Sequence, residues 1–228
     1  MSLAYTPSSD LAANLIEINQ IIRQSAAVCG RQVDDISLIA VSKRQPVEKI
    51  KALLTAGHRV FGENRLQEAQ DKWPALRDET PDIELHMIGA LQTNKVREAL
   101  RLFDVIQTLD RPKLARKLAD ELAHTGRPVK LFVQVNTGEE PQKSGILPGD
   151  VDRFIAACRT DYQLDVAGLM CLPPQGEEPA LHFALLRELG LRNGLTQLSM
   201  GMSGDFEKAI TFGATHVRVG TMLMGARS

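Results

Sequence analysis

The sequence predicts an α/β protein: a single domain over residues 1–228, folded as a closed parallel (β/α)8 barrel. Three observations carry this. Eight short β-prone runs alternate with helix-sized segments along the whole chain, and right-handed crossovers repeated eight times close into a parallel barrel. A length of 228 residues suits one such barrel. No Gly-x-Gly-x-x-Gly turn follows the first strand, which disfavours the competing open doubly wound sheet.

Taken in order, Ser9 or Asp10 caps a first helix in which Leu11, Leu15, Ile18 and Ile22 recur at three- and four-residue steps. That amphipathic helix ends near Gly30. The first strand, 36–43, is apolar on both faces, as a buried parallel strand is. It ends in Lys43, on the face of Val41 and Ile39. Pro46 opens a helix through Leu54 that Gly57 closes. A second strand at 59–64 leads to a polar helix through Gln67, Ala69 and Trp73, which Pro74 is expected to stop.

Strands are then expected at 84–89, 104–109, 129–136, 164–172, 197–203 and 216–223, with helices at 93–102, 113–124, 151–158, 179–189 and 205–212 between them. After strand eight the chain reaches Ser228 with no segment for an eighth following helix. The N-terminal helix is expected to cover that gap. The irregular stretch 137–149, with Gly138, Pro141, Gly145 and Pro148, reads as a mobile loop after strand five.

Composition narrows the function. With 43% hydrophobic and 24% charged residues, the balance is that of an ordinary soluble globular protein. Net charge is −1, aromatics are 4% and no basic block is present, against a nucleic-acid surface. Cys29, Cys158 and Cys171 are odd in number and far apart, so reduced thiols in a cytoplasmic protein are expected. No uncharged run nears the ~18 residues of a membrane span, and Asp10, Glu17 and Arg23 interrupt any leader-like stretch. No His/Asp/Glu spacing suits a metal.

Chemistry in such a barrel gathers at the C-terminal strand ends, with phosphate commonly after strands seven and eight. Strand seven ends Met200-Gly201-Met202-Ser203-Gly204-Asp205, where Ser203 is placed to cap the next helix beside open amides. Asp205 should then point outward. Strand eight carries Arg218 on the face of Gly220, followed by Thr221. A buried guanidinium needs partners, and an ion pair with Glu63 explains Arg218 as well as a ligand does. Taken alone, Lys43 reads as a solvated strand end, Ser203 as an ordinary cap, His86 as a hydrogen-bonded core residue and Met170, Met200 and Met202 as core packing. Strands eight and one are neighbours in a closed barrel, however, so Lys43 faces a plausible phosphate cradle. In low-dielectric surroundings a lysine amine becomes a nucleophile toward aldehydes.

Ala40-Val41-Ser42-Lys43, Phe61-Gly62-Glu63-Asn64, His86-Met87-Ile88-Gly89, Leu91-Gln92-Thr93-Asn94-Lys95 and Gln142-Lys143-Ser144-Gly145 belong to one pattern. So do Gly168-Leu169-Met170, Leu198-Ser199-Met200-Gly201-Met202-Ser203 and Arg218-Val219-Gly220-Thr221, which runs on to Gly225-Ala226-Arg227. The chain resembles the pyridoxal phosphate homeostasis protein family, whose fold is similar to the N-terminal barrel of alanine racemase, the type III fold of pyridoxal phosphate proteins. The resemblance implies that Lys43 forms a Schiff base with pyridoxal 5′-phosphate, that Ser203, Gly220 and Thr221 bind its phosphate, and that Arg218 contacts the pyridine nitrogen. Asn64, His86 and Met200 complete the candidate cofactor set. Two departures from the pattern, Arg65 in place of Tyr and Gln45 in place of Lys, are expected to lie off the cofactor-holding residues.

A cation at the ring nitrogen disfavours ring protonation and weakens the electron sink. With no second domain to bring an opposing base, a monomeric carrier that buffers or delivers the cofactor to apo-enzymes is expected. A small racemase-like enzyme is the alternative. A Lys43 aldolase acting on a sugar phosphate is the third reading, and the family motifs count against it.

Overall fold

The computed structural model describes residues 10–225. Ser9, Ala226, Arg227 and Ser228, all named above, lie outside the described residues. Eight parallel strands follow one another around a closed barrel: β1 (Ser37–Val41), β2 (Val60–Glu63), β3 (Glu84–Met87), β4 (Val105–Leu109), β5 (Lys130–Val135), β6 (Val166–Cys171), β7 (Gln197–Met202) and β8 (His216–Val219). The ring closes where Ser37, Leu38, Ile39 and Ala40 pair with His216, Val217, Arg218 and Val219. Outside it run α1 (Leu11–Val28), α2 (Val47–Thr55), α3 (Leu66–Glu79), α4 (Val96–Leu102), α5 (Pro112–Thr125), α6 (Val151–Thr160), α7 (Pro179–Arg192), α8 (Phe206–Thr211) and α9 (Thr221–Met224).

Strand alternation sorts the side chains into two layers. Leu38, Phe61, Leu85, Ile106, Val133, Leu169, Leu198 and Val217 join the main core, which the helices cover. Burying each such side chain contributes roughly 1.5–3 kcal/mol. Val105, Phe132 and Met170 form a small second cluster. His86, Gln107, Ser199 and Arg218 are also buried, and the hydrogen bonds that join them run across the barrel.

The N-terminal helix does cover the expected gap. Asp10 caps it, accepting from the Ala12 and Ala13 amides at 2.9 and 3.2 Å. Its stripe of Leu11, Leu15, Ile18 and Ile22 is buried, and it packs on α2, α8 and α9. Asn14 Nδ2 donates to the Leu223 carbonyl at 3.0 Å, tying α1 to the last turn.

Four local expectations are corrected. Pro74 lies inside α3. It is exposed, while Trp73 and Leu76 beside it are 0% and 1% exposed; burying that face outweighs the ~3 kcal/mol an interior proline costs. Strand eight stops at Val219, and Thr221–Met224 turns into α9, which keeps Leu223 and Met224 buried. Strand one stops at Val41, so Lys43 belongs to a turn. The 137–149 loop folds back on β5: Asn136 N–H donates to Ile146 O at 2.9 Å and Ile146 N–H to Gln134 O at 2.8 Å. Gly145 has φ +130°, and a Cβ there would stand 2.6 Å from the Asn136 nitrogen, so this close return requires glycine. Among the described residues no helix is long and apolar enough to cross a membrane, and no cluster of three His, Cys, Asp or Glu could hold a metal ion.

Candidate functional site

A cavity of about 560 Å³ opens beyond the C-terminal ends of the strands, where a parallel barrel places its chemistry. Its wall brings together Lys43 and Gln45 after β1, Asn64 after β2, Ser203 and Gly204 after β7, and Arg218, Gly220 and Thr221 from β8 and the start of α9. Ile88, Leu172, Pro173 and Met202 supply apolar wall. Glu140 and Lys143 reach in from the loop after β5, paired with each other.

Lys43 is presented by a tight turn. Ser42 N–H still donates to the Gly62 carbonyl at 3.1 Å, continuing the sheet, and Gln45 N–H then donates back to Ser42 O at 3.1 Å. Arg44 adopts φ +55°, uncommon for a non-glycine residue, and its N–H donates to Glu68. Behind this turn Lys72 Nζ donates to Ser42 O at 3.0 Å and to Glu63 Oε1 at 2.9 Å. Ser42 Oγ at 2.8 Å and Trp73 Nε1 at 3.2 Å also donate to Glu63 Oε1. Burial pushes the Glu63 carboxyl above its usual range, and Lys72 pulls it back.

Glu63 is therefore not the partner of Arg218. It faces the outer layer, and Arg218 the interior. Arg218 is 3% exposed. It donates to Ser199 Oγ at 2.6 Å and to the Cys171 carbonyl at 2.8 Å. Burial lowers its pKa, and the nearby Cys171 and Asp205 offset this only in part. The Cys171 thiol, pushed up to about 12 by burial, is no nucleophile.

After β7, Ser203 takes a different post from the expected one. The residue before α8 is Asp205, whose side chain turns back to accept from the Met202 N–H at 2.6 Å. Ser203 Oγ instead accepts from the Gly220 and Met222 amides at 3.4 and 3.5 Å, across to the start of α9. Gly204 has open space where a Cβ would be, and a Cβ on Gly220 would meet Val41 Cβ at 3.4 Å.

Six of the eight candidate residues line the cavity: Lys43, Asn64, Ser203, Arg218, Gly220 and Thr221. Two do not. Met200 points outward into the main core, because Ser199 takes the inward position on β7, and Met202 reaches the wall instead. His86 does face inward but lies below the wall, where Gln107 and Glu84 bond its two ring nitrogens. Gln45, expected to lie off the site, is on its wall, where it accepts from Lys49 Nζ at 3.0 Å. The parity of Val41 and Lys43, carried two residues further, reaches it.

The residues present fit an aldehyde-bearing pyridine phosphate. An amine side chain, two glycines that leave backbone open to approach, hydroxyls from Ser203 and Thr221 and one guanidinium share a single wall. The buried Asn64 Oδ1 has no hydrogen-bond partner within the protein, as a group awaiting a polar ligand would.

Fold and cavity define a (β/α)8 barrel protein with a small-molecule site at its C-terminal rim. The family model described as alanine racemase, N-terminal domain, matches residues 16–228. The chain is 41% identical to the pyridoxal phosphate homeostasis protein of Pseudomonas aeruginosa, over 96% of both chains. It is 37% identical to that of Escherichia coli K12, over 96% of this chain and 97% of the relative. The chain belongs to the pyridoxal phosphate homeostasis protein family. Among solved structures, PipY of Synechococcus elongatus with PLP bound is 38% identical, with TM-score 0.77 over 90% of this chain and all of that one. Alanine racemase of Corynebacterium glutamicum, 17% identical with TM-score 0.69 over 94% of this chain and 59% of that one, shares the fold.

Proposed function

We propose that this protein binds pyridoxal 5′-phosphate in the rim cavity, with Lys43 as its covalent anchor, and buffers or delivers it within the cytoplasm. The observation that carries the reading is the wall itself: Lys43 beyond β1 shares it with Arg218, Gly220 and Thr221 of the adjoining β8 end and with Ser203. The names of the relatives, and the PLP in the PipY structure, support the same cofactor.

When bound, the cofactor supplies an aldehyde that condenses with an amine and a ring that can draw electrons. The chain's own residues bind and orient it. Lys43 would hold the aldehyde carbon as a Schiff base, formed by its neutral amine with release of water. Ser203, Gly220 and Thr221 would take the phosphate, and Asn64 would present its unpartnered oxygen to the ligand. Arg218 faces the ring, and its fixed charge disfavours a second positive charge there. Among the described residues, the ionisable groups on the wall are Lys43, Glu140, Lys143 and Arg218. Glu140 and Lys143 occupy each other, so an acid/base pair poised on the two sides of a substrate is missing from the wall. This favours a holder over a catalyst. We further propose a single domain spanning 1–228, acting as a monomer on PLP-dependent apo-enzymes. The racemase-like alternative is tested by incubating the loaded protein with one alanine enantiomer; steady appearance of the other overturns the carrier reading.

Purified protein given pyridoxal phosphate should show a visible absorbance band that borohydride abolishes. Peptide mapping should place the reduced adduct on Lys43, and Lys43→Ala should remove the band. Protein that stays colourless with added cofactor refutes the reading, and an adduct on Lys143 refutes the assignment of the anchor.

A further inference from the structure

A line of hydrogen bonds crosses the barrel interior. Arg218 donates to Ser199 Oγ at 2.6 Å, Ser199 Oγ to Gln107 Oε1 at 2.6 Å, and Gln107 Nε2 meets His86 Nδ1 at 2.8 Å. His86 Nε2 then meets Glu84 Oε1 at 2.9 Å. Glu84 begins β3, at the barrel end opposite the cavity, and its other oxygen accepts from Lys130 at 3.1 Å. The two ends of the line fix its direction. Arg218 can only donate and the Glu84 carboxylate can only accept. His86 must therefore give its Nε2 proton to Glu84, leaving Nδ1 to accept from the Gln107 amide. The Gln107 carbonyl is then left for the Ser199 hydroxyl, whose lone pair accepts from Arg218. All four bonds point the same way, so each polarises the next. A second proton on His86 would turn the Gln107 amide over and leave the Ser199 hydrogen without its acceptor.

We propose that Ser199, Gln107 and His86 are positioning residues that hold the Arg218 guanidinium at the cavity wall and couple it to the carboxylate of Glu84 at the far rim. Asp205 acts on Arg218 only through space, and the relay takes the place of a directly bonded counter-ion: it stabilises a buried cation by neutral hydrogen bonds. The barrel end that does not touch the cofactor thereby tunes the end that does. This rests on the cofactor reading above only for its spectroscopic readout.

The relay is tested in two ways. Nitrogen-15 spectra of the cofactor-free protein at neutral pH should show His86 as the Nε2–H tautomer; an Nδ1–H or doubly protonated ring overturns the proposal whether or not any cofactor binds. Pyridoxal phosphate is then titrated into wild type, Ser199→Ala, Ser199→Thr, Gln107→Met and Glu84→Gln, with thermal midpoints of the cofactor-free forms recorded alongside. Ser199→Ala and Gln107→Met should move the bound-cofactor band and weaken affinity about tenfold, the size of one hydrogen bond to a charged group. Ser199→Thr should restore both, and Glu84→Gln, remote from the ligand, should move the band in the same direction by less. Lower thermal midpoints with unchanged band and affinity reduce the line to a structural role and overturn the proposal. Wild-type protein that takes up no cofactor refutes the cofactor reading, and the tautomer then decides the relay by itself.

Discussion

Glu63 and Arg218 are buried on opposite faces of the same barrel wall and are held in opposite ways. Behind β1 and β2, Glu63 has a direct counter-ion in Lys72, with Ser42 and Trp73 adding neutral donors. Inside the barrel, Arg218 has a hydroxyl and a backbone carbonyl and no carboxylate within bonding reach. Both solutions satisfy the hydrogen bonds of a buried charge. They differ in the field left over. Lys72 neutralises Glu63 and also pairs with Glu68 at 2.7 Å, and this cluster braces the turn that carries Lys43. Arg218 has no bonded carboxylate and lines the cavity, so its field is left open toward that space. On the reading proposed above, the two regions separate a charge that builds the fold from one that faces a ligand.

The sharpest way to break that contrast is to remove Lys72. Lys72→Met should cost about 3–5 kcal/mol in urea denaturation, since it strands a buried carboxylate. The double variant with Glu63→Leu should recover most of that loss. A single-variant loss below about 1 kcal/mol would make the two charges equivalent. Arg218→Met comes next. It should cost less than about 2 kcal/mol, the desolvation of the Ser199 and Cys171 acceptors offset by release of a buried cation, yet it should markedly weaken cofactor uptake. Loss of stability as large as that of Lys72→Met, with uptake intact, would reverse the assignment.

The smallest effect sharpens the comparison at the far rim. The hydrogen bond from His86 holds the Glu84 carboxyl down from 4.5 to about 2. The unfolded chain therefore binds the proton more readily between those values, and stability should rise with pH from about 2 to 4.5 and be lost as pH falls. Glu84→Gln should flatten that rise in acid denaturation profiles. An unaltered slope would detach Glu84 from His86.

The barrel was readable because its signal is repetitive: eight apolar runs separated by helical stripes leave few other folds. What failed was local. Pro74 and the end of strand eight were settled by the buried partners Trp73, Leu223 and Met224, which no single-residue preference reports. At the site, no single residue announces itself. Lys43 alone reads as a solvated strand end and Ser203 as an ordinary cap, and only the adjacency of strands eight and one in a closed barrel brings them to one wall with Arg218, Gly220 and Thr221. Depth and facing were harder. Gly201, at φ +91°, lies where the pairing of β7 with β8 shifts register, so alternation does not carry from Ser199 through to Met202, which reaches the wall. Met200, read as core packing from the residues alone, does sit in the main core. His86 has the right facing and the wrong height. Gln107 and Ser199 drew no notice, since an amide in β4 and a hydroxyl in β7 gain meaning only when the barrel brings them together.

The pairing of β1 with β8 also sets the order in which this molecule can mature. Lys43 follows the first strand to leave the ribosome, and Arg218 and Gly220 come with the last. Contacts of such sequence separation form late, after the loop-closure entropy between them has been overcome. Until the ring shuts, Lys43 and Arg218 belong to no common cavity, and α1 has only part of its seat. Capture of the cofactor is thus a report on completed closure: a nascent or misjoined barrel has nothing with which to hold it.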